Sequence, residues 1–244
     1  MSYYSGFVVA VPTANKQAYT DVARGAWPFF RKYGALRLVE TWGEDVPEGK
    51  LTDFRRAVQA KDDEAVVFGW IEWPDRATAD ASWEKMGSDA EMAQMPDMPC
   101  DGSRMIWGGF APVFEEGKDQ GAGWYQGFVL AVPADRKQAY VDMARFGWDR
   151  MFRKAGALYH IEAWGENVPH GKLTDFHRAV QAEDGEVVVF SWIGWPDRAT
   201  ADAASKAMME DPAMADMGGM EMPFDGKRMF WGGFAPILDT AAGA

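Results

Sequence analysis

The chain has 244 residues, 48% of them hydrophobic and 14% aromatic, with a formal net charge of −12 and a single cysteine. That is room for two ordinary domains with cores of their own, too apolar for a disordered chain and without the roughly 20-residue apolar run of a membrane span. Each basic cluster, such as Arg31-Lys32 or Arg55-Arg56, sits among acids, so no nucleic-acid partner is expected. Met1-Ser2-Tyr3-Tyr4 runs into a strand with no basic or cleavable leader, and Cys100 has no internal disulfide partner, which together predict a cytoplasmic protein.

Residues 6–11 are β-branched, aromatic and uncharged, a strand buried on nearly both faces. Pro12-Thr13 breaks it, and Thr13 is placed to cap a helix over 15–33 whose Tyr19, Val22, Ala23, Ala26 and Phe30 follow helical spacing. Pro28 is a potential kink, and Gly34 caps the C-terminus. Residues 36–42 form a second strand, followed by a polar loop in which Asp53 caps or pairs locally. Residues 54–60 read as a short extra strand that turns at 61–64 into strand 65–73. Pro74-Asp75 opens a second helix, 76–95, and 104–113 is the last strand of the unit.

The same order then repeats. Ser5-Gly6-Phe7-Val8-Val9-Ala10-Val11-Pro12 returns as Gln126-Gly127-Phe128-Val129-Leu130-Ala131-Val132-Pro133, and Trp107-Gly108-Gly109-Phe110-Ala111-Pro112 as Trp231-Gly232-Gly233-Phe234-Ala235-Pro236. A period this long is a whole domain in tandem rather than a solenoid unit: residues 1–116, a charged glycine-rich linker over 117–123, and residues 124–240. One residue is added after Trp148, to be absorbed as a bulge or an altered helix end, and two more near Gly218-Gly219. Each copy reads βαββαβ, an α+β ferredoxin-like order with both helices on one face of an antiparallel sheet. The other face is rich in Trp, Phe and Val and has to meet a second sheet. The two copies therefore predict an intramolecular pseudo-dimeric α/β barrel.

Val39-Glu40-Thr41-Trp42, Asp45-Val46-Pro47, Gly49-Lys50-Leu51-Thr52-Asp53-Phe54, and Met222-Pro223-Phe224-Asp225-Gly226-Lys227-Arg228-Met229 before Trp231-Gly232-Gly233-Phe234 resemble the bacterial YbaA-like family. The resemblance runs through both halves; Cys100 stands where the family has Phe, and Asn167 where Asp is usual. It implies the dimeric α/β-barrel superfamily of ferredoxin-like folds. It assigns no site residue, because the family is uncharacterised and shared fold does not assign function.

The three histidines, His160, His170 and His177, are matched in the first copy by Leu38, Glu48 and Arg55, so a duplicated histidine metal site is excluded and neither metal nor other cofactor is implied. Glu40 and Glu162 stand in mid-strand, where carboxylates are disfavoured, each sharing a strand face with Trp42 or Trp164. If that face points into the barrel, the carboxyl is desolvated, its pKa rises, and it can act as a general base. The structural reading is that Glu40 pairs with Arg56 or Arg104. His160 shares the face of Glu162 and makes a proton-shuttling pair with it conceivable. Among the twelve tryptophans, Trp42, Trp164, Trp70 and Trp192 are candidates to line an aromatic pocket, with methionines such as Met92, Met95, Met98, Met214, Met217, Met220 and Met222 as adjustable lids. Three functions stay open: binding of a small apolar or aromatic molecule between the two sheets, a cofactor-independent monooxygenase or isomerase using a buried Glu, or a structural interaction protein with no pocket.

Overall fold

A computed structural model describes residues 1–90, 92–118, 121–210 and 221–241. The first copy contributes β1 (Tyr3–Pro12), α1 (Lys16–Lys32), β2 (Arg37–Asp45), α2 (Phe54–Ala57), β3 (Glu64–Trp73), α3 (Arg76–Met86) and β4 (Ile106–Gly117). The second contributes β5 (Trp124–Pro133), α4 (Lys137–Gly147), β6 (Tyr159–Asn167), α5 (Phe176–Ala179), β7 (Glu186–Trp195), α6 (Arg198–Glu210) and β8 (Phe230–Asp239). All strand pairs are antiparallel, and they close into one barrel in the order β1-β3-β2-β8-β5-β7-β6-β4. The expected facing sheets are thus also joined edge to edge, β2 to β8 and β4 to β6, so no strand edge is left open.

The barrel interior is solid with rings. Phe68 stacks on Phe190 at 4.3 Å between centroids, and Trp70 on Trp192 at 4.4 Å. Phe54 and Phe176 plug the interior edge-on to Phe230 and Phe110. Across the pseudo-two-fold axis, Thr52 Oγ1 donates to the Ala179 carbonyl and Thr174 Oγ1 to that of Ala57. One seam is tied by the buried pair Arg37–Asp239, at 2.6 Å.

Local chemistry departs from the sequence reading in three places, after Asp53, at Thr13 and at the end of the second helix, and agrees with it at Gly34 and after Trp148. The segment after Asp53 is a helical turn, α2, not a strand: Asp53 Oδ1 accepts from the Arg56 amide at 2.8 Å, and Gln59 reverses the chain at φ 49°. Thr13 does not cap α1 with its side chain; its hydroxyl donates to the Asp63 carbonyl at 2.6 Å. Helix α1 runs through Pro28 to Lys32 and is stopped by Gly34 at φ 100°. The second helix ends at Met86 instead of 95, where Gly87 follows and Asp89 is drawn to Lys32 and Tyr33. The residue added after Trp148 appears as a π-helical turn, Trp148–Phe152, continuing α4. The insertion at Gly218-Gly219 lies outside the described residues, as do positions 119 and 120 within 117–123 and 242–244 of the tail. Among the described residues no helix is long and apolar enough to cross a membrane.

Candidate functional site

Side-chain alternation along β2 decides where Glu40 points. Val39 packs inside the barrel with Phe68 and Trp70, whereas Leu38 packs outside with Ile71, Trp73 and Phe30. Glu40 therefore leaves the sheet on its outer face, beneath α1. The helix residues over it, Ala23 and Ala26, are small, and a cavity of about 440 Å³ remains between helix and sheet. Its walls include Phe7, Phe30, Ile71, Trp83, Met105 and Trp107, and Glu40 with Tyr19 forms the polar floor. Glu40 is 4% exposed and Tyr19 1%.

The Tyr19 hydroxyl donates to Glu40 Oε2 at 2.9 Å, the one hydrogen bond to this carboxyl among the described residues. Burial pushes the Glu40 pKa up to about 8, and the Tyr19 hydrogen bond offsets only part of that. Tyr19 itself is held well above the ordinary phenol range by burial and by the adjacent carboxyl. Burial thus favours the protonated, neutral form of Glu40 at neutral pH. With Oε2 accepting from Tyr19, the acid proton falls to Oε1. Cys100 closes the same corner, its thiol raised to about 11 by burial and by Glu40.

The second copy repeats the floor and changes the room above it. Tyr140 donates to Glu162 Oε2, while Glu162 Oε1 is 2.7 Å from His160 Nε2. His160 is 3% exposed and Glu162 6%, and the histidine ring sits among Phe114, Phe152 and Trp148. Here the cavity is about 170 Å³, and the π-helical turn presents Met151 and Phe152 to it.

These positions correct three expectations. The space between the sheets is filled by rings, so the candidate cavities lie outside the barrel, one under each copy's first helix. Trp70 and Trp192 are stacked in the interior, on the opposite face of the sheet from the glutamates, and line neither cavity. Trp42 and Trp164 share the outer face but pack beside the cavities, each covered by a lysine ammonium, Lys16 at 5.0 Å and Lys137 at 4.9 Å. Among the described residues no arginine pairs with Glu40: Arg104 is bound to Glu64 at 2.6 Å, and Arg56 lies 3.4 Å from Asp53. Of the methionines expected as lids, Met98 lines the first cavity, and Met214, Met217 and Met220 lie outside the described residues. Sequence reasoning missed Tyr19, whose repetition as Tyr140 was the available signal, and Trp83, which the second copy replaces with Ser205.

A family profile described as "Protein of unknown function (DUF1428)" matches residues 2–102 and again 123–226. The chain belongs to this family. It is 52% identical over 117 residues to the uncharacterized protein YbaA of Escherichia coli K12, covering 48% of this chain and all of that protein, and the YbaA of Shigella flexneri gives the same figures. Among solved structures, the chain is similar to an anthrone oxidase-like protein (TM-score 0.58, 9% identity, 100% of this chain and 94% of that one). It is also similar to a candidate monooxygenase from Lactobacillus acidophilus (0.57, 7%, 98% and 95%) and to another from Fusobacterium nucleatum (0.53, 9%, 98% and 93%). At such identities the likeness is one of fold.

Proposed function

We propose that the chain binds a small, flat, apolar molecule carrying one oxygen function in the helix–sheet cavity of its first copy. The observation that carries this reading is a buried carboxyl, its pKa pushed up to about 8, at the floor of an otherwise apolar cavity of about 440 Å³, within the range that encloses small ligands. A neutral acid is a hydrogen-bond donor, so Glu40 Oε1–H recognises a carbonyl or phenol oxygen, while the rings and methionines take the apolar body. The test is a calorimetric titration with 1-tetralone, a bicyclic aromatic ketone. Saturable binding is expected near neutral pH and should weaken above about pH 8, where Glu40 ionises and the donor is lost. Ala26→Leu, which fills the cavity from the helix side, should abolish it. Absence of saturable binding, or binding indifferent to Ala26→Leu, refutes the proposal.

A second reading is favoured by the same raised pKa. A carboxyl titrating near neutrality is suited to move a proton to and from a carbon beside a carbonyl, the opening step of a cofactor-independent isomerase or monooxygenase. The solved structures whose descriptions name oxidase or monooxygenase chemistry are similar in fold and lend this reading no residue. Deuterium exchange at C2 of 1-tetralone in D₂O separates the two: exchange accelerated by the wild type and lost in Glu40→Gln supports proton transfer, and binding without accelerated exchange leaves a binding protein.

A further inference from the structure

The two copies differ above their shared Glu–Tyr floor in a way that is coordinated. Leu38 is replaced by His160, and Gly69, which lies opposite Glu40 on β3, by Ser191, opposite Glu162 on β7. Residues directly opposite in antiparallel strands share a sheet face, so Ser191 joins Glu162 beneath the helix. In the first copy a Cβ at position 69 would stand 2.4 Å from the Phe7 ring. Ser191 therefore cannot coexist with a Phe7-like placement of Phe128, and the change remakes the pocket rather than decorating it.

The polar atoms this introduces have no partner inside the protein. His160 Nδ1 and Ser191 Oγ are buried, and among the described residues neither has a hydrogen-bond partner, although the other imidazole nitrogen is engaged by Glu162. Both residues line the cavity of about 170 Å³, and their exposures are 3% and 1%. A buried polar atom left unpaired costs about 1–3 kcal/mol, so two of them on residues that line one small cavity point to a ligand that satisfies them. The walls around them, including Leu130, Met143, Ile193 and Met229, are apolar. Among the described residues no lysine or arginine lines the cavity, and each Glu162 oxygen has a partner, Tyr140 or His160. An anionic ligand would be buried here without a counterion.

We infer that the second copy holds a separate site for a single-ring, uncharged hydroxyl compound of phenol size, whose hydroxyl is held between His160 Nδ1 and Ser191 Oγ. Cavities of about 150 Å³ accept benzene-sized guests, so one ring fits where the bicyclic molecules proposed for the first copy do not. With Nε2 directed at Glu162, Nδ1 of a neutral imidazole is an acceptor for the phenolic O–H, and Ser191 donates to the phenolic oxygen. This site stands or falls independently of the first.

The experiment is a titration of the full chain, labelled with ¹⁵N-histidine, with phenol and separately with toluene. His170 and His177 serve as internal references outside this cavity. Phenol is expected to perturb the His160 ring nitrogens selectively and to bind about tenfold more tightly than toluene, the advantage of a satisfied hydrogen-bond site over its apolar isostere. Ser191→Gly, and His160→Leu with Ser191→Gly, install the first copy's own residues and should remove the preference for phenol. No perturbation of His160, equal affinity for phenol and toluene, or an unchanged preference in both variants overturns the proposal.

Discussion

Glu40→Gln probes the floor of the first cavity through its effect on folding. Burial moves this carboxyl from 4.5 to about 8 in the folded protein. Between those values the folded state keeps a proton that the unfolded chain has released. The contribution of Glu40 to stability is therefore complete below about pH 4.5, falls by about 1.4 kcal/mol per pH unit, and has lost about 5 kcal/mol once the pH passes about 8. Gln does not titrate, its carbonyl oxygen still accepts from Tyr19, and its amide nitrogen replaces the acid hydroxyl. The variant should match wild type near pH 4.5, exceed it by about 3 kcal/mol at pH 7, and exceed it by about 5 kcal/mol above pH 8. Urea unfolding followed by tryptophan fluorescence, run on both proteins across that range, isolates Glu40 in the difference because other titrations cancel. A difference independent of pH, or one in which wild type gains on the variant as pH rises, would refute the burial argument. A carboxyl whose removal stabilises the protein is the pattern expected if Glu40 serves the binding role proposed above rather than folding.

Phe68→Ala should cost about 3–5 kcal/mol in denaturant unfolding, because Phe68 is fully buried, stacks on Phe190 and Phe234 and meets Phe54 edge-on at the barrel centre; a loss below about 1 kcal/mol would mean the interior is not packed as described. Arg104→Met should cost about 3–5 kcal/mol near neutral pH by leaving Glu64 buried and unpaired, since the pair is made at 2.6 and 2.7 Å with side chains 7% and 3% exposed. Arg104 holds the Glu64 carboxyl at about 2, so the wild-type advantage is present above about pH 4.5 and lost as pH falls toward 2; thermal melts at about pH 3 and pH 6 should show the gap between the two proteins narrowing in acid.

Much of the candidate site was visible as residues and little of it as geometry. Glu40 and Glu162 stood out because carboxylates in mid-strand demand an explanation. Which way they pointed was not legible, because both faces of β2 and β6 are apolar enough to be buried: one by the barrel interior, the other by a helix. Trp42 and Trp70 looked like one aromatic set, yet the register of β2 against β3 puts them on opposite sides of the sheet. The short helix after Asp53 was read as a strand because its capping bond is an interaction across three residues that hydrophobic alternation does not encode.

Repetition along the chain was enough to establish a duplicated ferredoxin-like fold, because matching strand and helix patterns over each half leave one antiparallel order per copy and one bare face to pair. It also exposed where the copies differ, as separate positions: Leu38 against His160, Glu72 against Gly194. Folding turns those positions into sets. Arg37 lies opposite Glu72 where Tyr159 lies opposite Gly194, with its ring against the glycine. His160 and Ser191 come together over Glu162 because adjacent strands carry them to one face. Contacts of this kind join residues far apart in sequence through sheet register, side-chain direction and the volume left under a helix, none of which any local stretch of residues contains.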